Sequence, residues 1–140
     1  MRLFLPLLLG LTFAAGLALA DGLVADDALS ITAPTSQQAE ALLDLAAPLQ
    51  LRRIEDGVPG WSVSKDGRVV GEIGSTWEIA GSVGYSGRPL DVLVAVTPDA
   101  RISGALLVRH NEPVLTLGIS DTDIAAYVAG FKGFDLAAPA

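Results

Sequence analysis

The sequence predicts an α+β fold: a mainly antiparallel sheet with two packing helices. Three observations carry this. Trp61–Lys65 and Arg68–Ile73 are short strand-like runs separated by Asp66-Gly67, a dipeptide suited to a two-residue hairpin turn. Leu90–Thr97 and Arg101–His110 are longer runs joined through Pro98-Asp99-Ala100. Proline fixes φ and aspartate bonds its own backbone, so this connection is also a tight turn and its strands are antiparallel. Finally, apolar residues recur at i, i+3, i+4 and i+7 twice, as Ala39, Leu42, Leu43, Ala46 and as Ile124, Tyr127, Val128, Phe131.

The 140 residues suit one domain. Met1 and Arg2 precede an apolar run, Leu3–Leu19, and Ala18-Leu19-Ala20 forms a small-residue cleavage signal. Residues 1–20 are predicted to be a secretory signal peptide, which implies an exported, periplasmic location; an uncleaved membrane anchor is the alternative. Loss of Arg2 leaves eight basic residues against sixteen acidic ones. That balance argues against nucleic-acid contact and against binding to an anionic membrane surface. Cysteine is absent, so no disulfide and no thiolate metal or iron–sulfur site can form. His110 is the single histidine, which rules out a multi-histidine metal site.

Residues 21–40 form a lead-in and the start of the first helix, and 41–136 the domain proper. Thr35 or Ser36 can cap the first helix and Pro48 stops it. Leu49–Ile54 has the makings of a short strand, and Glu55–Gly60 is a loop by composition. Gly74–Val83 contains turn formers and Trp77, an aromatic that could stack on a flat heterocycle or simply pack. In Leu90–Thr97, Val92, Val94 and Val96 share one face, and Leu93 and Ala95 the other. Both faces are apolar, which predicts a central strand covered on both sides. Gly104 in the returning strand marks a bulge or a close backbone approach. Ser120, with Asp123 three residues later, caps the last helix; Gly130 weakens its final turn, Gly133 ends it, and 137–140 is a tail.

Two loops flank the long hairpin. Gly84-Tyr85-Ser86-Gly87-Arg88-Pro89 precedes it. His110-Asn111-Glu112-Pro113, continuing into Val114-Leu115-Thr116-Leu117-Gly118, follows it. A hairpin sets the start of its first strand beside the end of its second, so Tyr85–Pro89 and His110–Pro113 are expected to be neighbours.

These loops carry a resemblance. G-Y-S-G-R-P, a hydrophobic strand, a P-D turn, then H-N-E-P and an apolar run ending in glycine resemble the periplasmic FMN-binding domain of NosR and NirI proteins. Those are membrane flavoproteins associated with nitrous oxide reduction and denitrification. The domain type also resembles that in the G subunit of Rnf electron-transport complexes, where the corresponding loop reads E-T-P-G-L-G. The likeness covers roughly Ala41 to Leu136. It implies FMN as cofactor and a seat built from Tyr85, Ser86, Gly87, His110, Glu112, Pro113, Leu117 and Gly118. On that reading Glu112 accepts a hydrogen bond from a flavin edge, and Gly84 and Gly87 bring backbone amides to the cofactor. By residue type, His110 could contact a flavin or a phosphate, or be a structural strand-end histidine, and Arg88 could meet a phosphate or be an ordinary surface arginine.

Two departures stand out. Such domains carry a threonine in an S-G-A-T type motif that attaches the flavin phosphate covalently, and this chain has no such motif. Asn111 also stands where family members often have a second histidine. The chain therefore reads as an N-terminal piece of a longer protein, incomplete at the C-terminus of the domain, with an unpaired sheet edge to match. Nothing resembles a nucleophile–base pair, a carboxylate dyad or a P-loop. The resemblance thus implies electron transfer or regulation rather than substrate conversion. Its partners would be a periplasmic redox protein or reductase and the membrane part of the parent protein. The alternative is a cofactor-free periplasmic module that binds a protein partner through the same two loops.

Overall fold

The computed structural model describes residues 31–138. The expected signal peptide (1–20), the first ten residues of the lead-in and the last two residues of the tail lie outside the described residues. Five strands form a meander in sequence order: β1 Gln50–Arg53, β2 Trp61–Lys65, β3 Arg68–Ser75, β4 Leu90–Val96 and β5 Ile102–His110. Every pairing is antiparallel. The α+β class read from the sequence is the fold observed.

Helix α1, Ser36–Leu43, begins at Thr35 with a reciprocal cap: Gln38 N donates to Thr35 Oγ1 at 3.1 Å, and Thr35 N donates to Gln38 Oε1 at 2.9 Å. The helix ends earlier than Pro48 predicts. Asp44 turns into the left-handed region at φ 57°, which leaves Ala46 exposed and outside the helix. Ala39, Leu42 and Leu43 pack on Val63, Ile73, Leu93 and Ala95, with Leu51 and Leu106 at the margin. Two glycines let α1 approach. A Cβ on Gly104 would sit 2.5 Å from Leu42 O, and one on Gly71 would sit 2.6 Å from Leu43 Cδ2. Gly104 also follows a bulge, since Ala95 pairs with Gly104 and Val96 with Ile102, leaving Ser103 over. The spare hydroxyl of Ser103 donates to Leu42 O at 2.9 Å.

Helix α2, Thr76–Ala80, lies where the sequence predicts only turns. Its support is tertiary. Ser75 is its N-cap, accepting from Glu78 N at 3.1 Å while donating its own proton to the buried carboxylate of Asp91 at 2.7 Å. Trp77 N adds a 3.3 Å bond to the same carboxylate. Arg53 chelates Glu78 through both guanidinium nitrogens and lies over the ring of Trp61, tying β1 to α2. Trp61 is therefore buried core, and Trp77 is half-buried on α2.

After β5 the chain makes one short turn, α3 Pro113–Thr116, and then α4 Asp121–Ala129. Ser120 and Asp123 form the reciprocal cap the sequence predicts. The expectation that the whole α4 stripe is core is corrected. Only Val128 is buried; Ile124 is half-buried, Tyr127 is 75% exposed, and Phe131 lies beyond the helix end and is exposed. Val92, Val94 and Val96 are accordingly half-buried, whereas Asp91, Leu93 and Ala95 on the opposite face are buried. Covering of β4 is thus complete on one side only.

Candidate functional site

The long hairpin joins the two loops as expected. Leu90 pairs with His110, so the chain enters β4 and leaves β5 at the same end of the sheet. Gly84 N bonds Arg88 O at 2.9 Å and Gly87 N bonds Gly84 O at 3.0 Å, which closes the first loop on itself; Gly87 takes φ +76°, where a side chain would be strained. Val83 bridges Pro89 at its base.

Glu112 is the hinge between the loops. It is 4% exposed. Ser86 N donates to Glu112 Oε2 at 3.1 Å, and Ser86 Oγ donates to Oε1 at 2.6 Å. Gly84 lies so close to this carboxylate that any side chain there would collide with it. Glu112 N in turn points at His110 Nδ1 at 3.4 Å. A buried carboxylate with both oxygens engaged fixes a loop firmly, because losing either partner would strand a charge away from water.

The structure therefore brings Ser86, Gly87, His110 and Glu112 together, with Pro113 opening α3 beside them. It does not bring in every candidate. Tyr85 is 98% exposed, Leu117 is largely exposed, and Gly118 is an exposed residue at φ +101° beyond α3.

A second feature adjoins this corner. Between α4 and the half-covered face of β4 and β5 lies a cavity of about 630 Å³, lined by Val92, Val94, Leu107, Ile124, Val128 and Phe131 among others. Leu90, which pairs with His110, and Leu115, whose N–H bonds Glu112 O at 3.2 Å, are among its lining residues; Ser86, His110 and Glu112 are not. Its walls are apolar. Among the polar exceptions, Thr76 Oγ1 accepts from Val92 N and bonds Ser82 Oγ, and Asp123 is occupied as the helix cap; hydrogen bonds from Ser120 Oγ and backbone hold its carboxyl below the usual carboxylate range. Sequence reasoning treats Val92 and Val94 as a covered strand face and Ile124 as part of a packing stripe. The signal that could have marked the cavity is negative: the strand positions facing α4 contain no glycine, whereas Gly71 and Gly104 lie beneath α1.

Among the described residues no group of histidine, cysteine, aspartate and glutamate could hold a metal ion, and no helix is long and apolar enough to cross a membrane.

No family model and no solved structure matches the chain. Among curated proteins, Protein NirI of Paracoccus denitrificans is 61% identical over 106 residues, covering 76% of this chain and 16% of NirI. Regulatory protein NosR of Pseudomonas aeruginosa is 31% identical over 71 residues, 51% of this chain and 10% of that protein. Regulatory protein NosR of Stutzerimonas stutzeri is 24% identical over 72 residues, again 51% of this chain and 10% of the relative. The chain thus spans a sixth or less of the length of these relatives. With 61% identity sustained across 76% of its residues, the chain belongs to the NosR/NirI type of protein.

Proposed function

We propose that this chain is the exported flavin-carrying domain of a NosR/NirI-like membrane flavoprotein. On this reading it serves electron transfer to, or regulation and maturation of, nitrous oxide reductase or another denitrification enzyme. The observation that carries the proposal is that the apolar cavity is lined by Leu90, the strand partner of His110, and by Leu115, whose N–H bonds Glu112 O. A tricyclic isoalloxazine is flat, largely apolar at one end and rich in hydrogen-bonding atoms at the other. The cavity suits the apolar end, with Val92, Val94, Leu107 and Phe131 as walls. The corner, with Glu112, Ser86 and His110, suits the polar edge.

The phosphate is the part these residues fit least. The cavity lining contains no cationic side chain, and the chain lacks the threonine motif for a covalent link. FMN, when bound, would supply the one- or two-electron chemistry; the residues here would seat the ring, exclude water from its apolar end and hold its polar edge.

The purified full chain is therefore expected to be yellow, or to take up added FMN with quenching of flavin fluorescence. Acid precipitation would separate tight from covalent attachment. Val94→Trp, which fills the cavity, should abolish uptake while leaving the melting curve cooperative. Uptake unchanged by Val94→Trp would remove the cavity from the site, and no uptake at all would remove the flavin.

That last outcome supports a second reading, a cofactor-free module that binds a protein through the two loops. It is favoured by one observation: Ser86 N and Oγ are already satisfied internally by Glu112, so the corner is complete without a ligand.

A further inference from the structure

The outer edge of β5 is treated unequally along its length. At its start the chain itself supplies the beginning of another strand. Ile102 N donates to Phe134 O at 2.9 Å, Gly133 N to Ile102 O at 2.7 Å, and Leu136 N to Ala100 O at 2.8 Å. Residues 133–136 thus run antiparallel to 100–102, and the Arg101–Asp135 ion pair holds them there. Upstream of Gly133 the chain leaves the plane of the sheet to become α4, which lies over β5. The strand position beside Gly104–Val108 is left without a backbone partner among the described residues.

That position is a groove rather than a bare edge. It encloses about 450 Å³ between Ala105–Val108 and His110 on one side and Asp121, Ile124, Ala125 and Val128 of α4 on the other. Four consecutive strand residues in its wall set the groove along the edge of β5, the last strand of the sheet order. Bulges at Ser103 and Val108 bracket a regular run, Gly104–Leu107. Ala125 is small and leaves room; Ile124 and Val128 form an apolar roof. At the end near His110 stands Asp121, an exposed carboxylate outside every ion pair among the described residues, in a chain of net charge −7.

We infer that this groove receives an extended segment of a basic partner protein, which adds as a strand antiparallel to Gly104–Leu107. Main-chain hydrogen bonds complete the edge, an apolar residue packs under Ile124 and Val128, and a lysine or arginine at the segment's amino end meets Asp121. The polarity follows from the rung at 133–136, which already runs antiparallel to β5. The basic chemistry follows from Asp121 and from the acidic balance of the chain, which disfavours a second copy in the groove. The inference stands apart from the flavin reading: the groove shares Ala105, Leu107, Ile124 and Val128 with the cavity, but Leu106, Val108, His110, Asp121 and Ala125 line the groove alone.

The test uses the full chain and a capped peptide of alternating valine and threonine led by lysine. Titration is followed by amide hydrogen exchange. Binding should slow exchange at Gly104–Leu107. N-methylation of the two peptide amides that face β5 should weaken binding about tenfold or more. Replacing the lysine by glutamate, or Asp121→Asn in the protein, should each weaken binding about threefold, the scale of an exposed ion pair. Ala125→Trp, at an exposed helix position, should abolish binding with an unchanged melting temperature. Equal binding of the N-methylated peptide, protection outside β5, indifference to Ala125→Trp, or no binding would each overturn the inference. So would sedimentation showing a dimer that Ala125→Trp dissociates, which would assign the groove to a second copy.

Discussion

The two faces of the sheet are built from similar residues and end in different states. Beneath α1 lie Val63, Ile73, Leu93 and Ala95, all buried. Beneath α4 lie Val92, Val94, Ala105 and Leu107, all half-buried around a cavity of about 630 Å³. Hydrophobicity does not separate the two sets; each holds valine, leucine and alanine. What separates them is the presence of glycine. Gly71 and Gly104 let the backbone of α1 sink onto the sheet, whereas the opposite face offers α4 only branched or bulky side chains and one alanine. How closely a helix docks is set by the smallest residues beneath it, not by the most apolar ones.

The contrast can be broken most directly by truncation on each face. Ile73→Ala, at a fully buried site, is expected to cost about 3–4 kcal/mol by urea denaturation, since a cavity adds to the lost transfer energy. Val94→Ala should cost about 1 kcal/mol, because its neighbours already border open space. Equal costs would mean that the two faces are equally packed in solution.

Adding atoms gives the next largest effect. Gly104→Ala forces a methyl against Leu42 O and Cα, which are backbone atoms of a helix that cannot shift locally, and should cost about 2 kcal/mol. Ala105→Val, one residue along and facing the cavity, should be close to neutral. A tolerant Gly104 would show that α1 sits farther from β5 than described.

Acid sharpens the comparison with the smallest effect. The α1 cap uses two neutral side chains, Thr35 and Gln38, and the α4 cap uses Ser120 and the carboxylate of Asp123. Hydrogen bonds from Ser120 lower the pKa of Asp123 in the folded state. A depressed folded value means that the cap's contribution is present above the unfolded carboxylate value of about 3.9 and is lost as pH falls through the lower folded one. The protection factor of the Ile124 amide, its exchange measured against the intrinsic rate at each pH, should therefore fall below about pH 4 while that of Ala39 does not follow. Parallel behaviour of the two amides would remove Asp123 from the cap in solution.

The sequence is most legible where structure is local. Asp66-Gly67 and Pro98-Asp99-Ala100 place both hairpins, Trp61–Lys65 is a strand with the bounds expected, and Ser120 with Asp123 starts α4. Helix α2 is not legible, because its cap depends on Asp91, sixteen residues away from Ser75 in sequence. Aspartate in a strand passes as a surface residue until β4 is set against β3. The left-handed turn of Asp44 that ends α1 and the exposure of Tyr127 are likewise not marked by apolar spacing. The meeting of Ser86 with Glu112 follows from hairpin geometry alone. That Glu112 would be buried and spent on Ser86 depends on Gly84, whose missing side chain makes the space.

The short rung at 133–136 has a mechanical consequence. Tension applied beyond Leu136 would run along the axis of β5 and load three backbone bonds together, in shear, with the Arg101–Asp135 pair sharing the pull. Helix α4, upstream of the clasp, would feel none of it until the clasp slipped. Such an anchorage lets the hairpin bear a tether while the roof over the cavity stays slack.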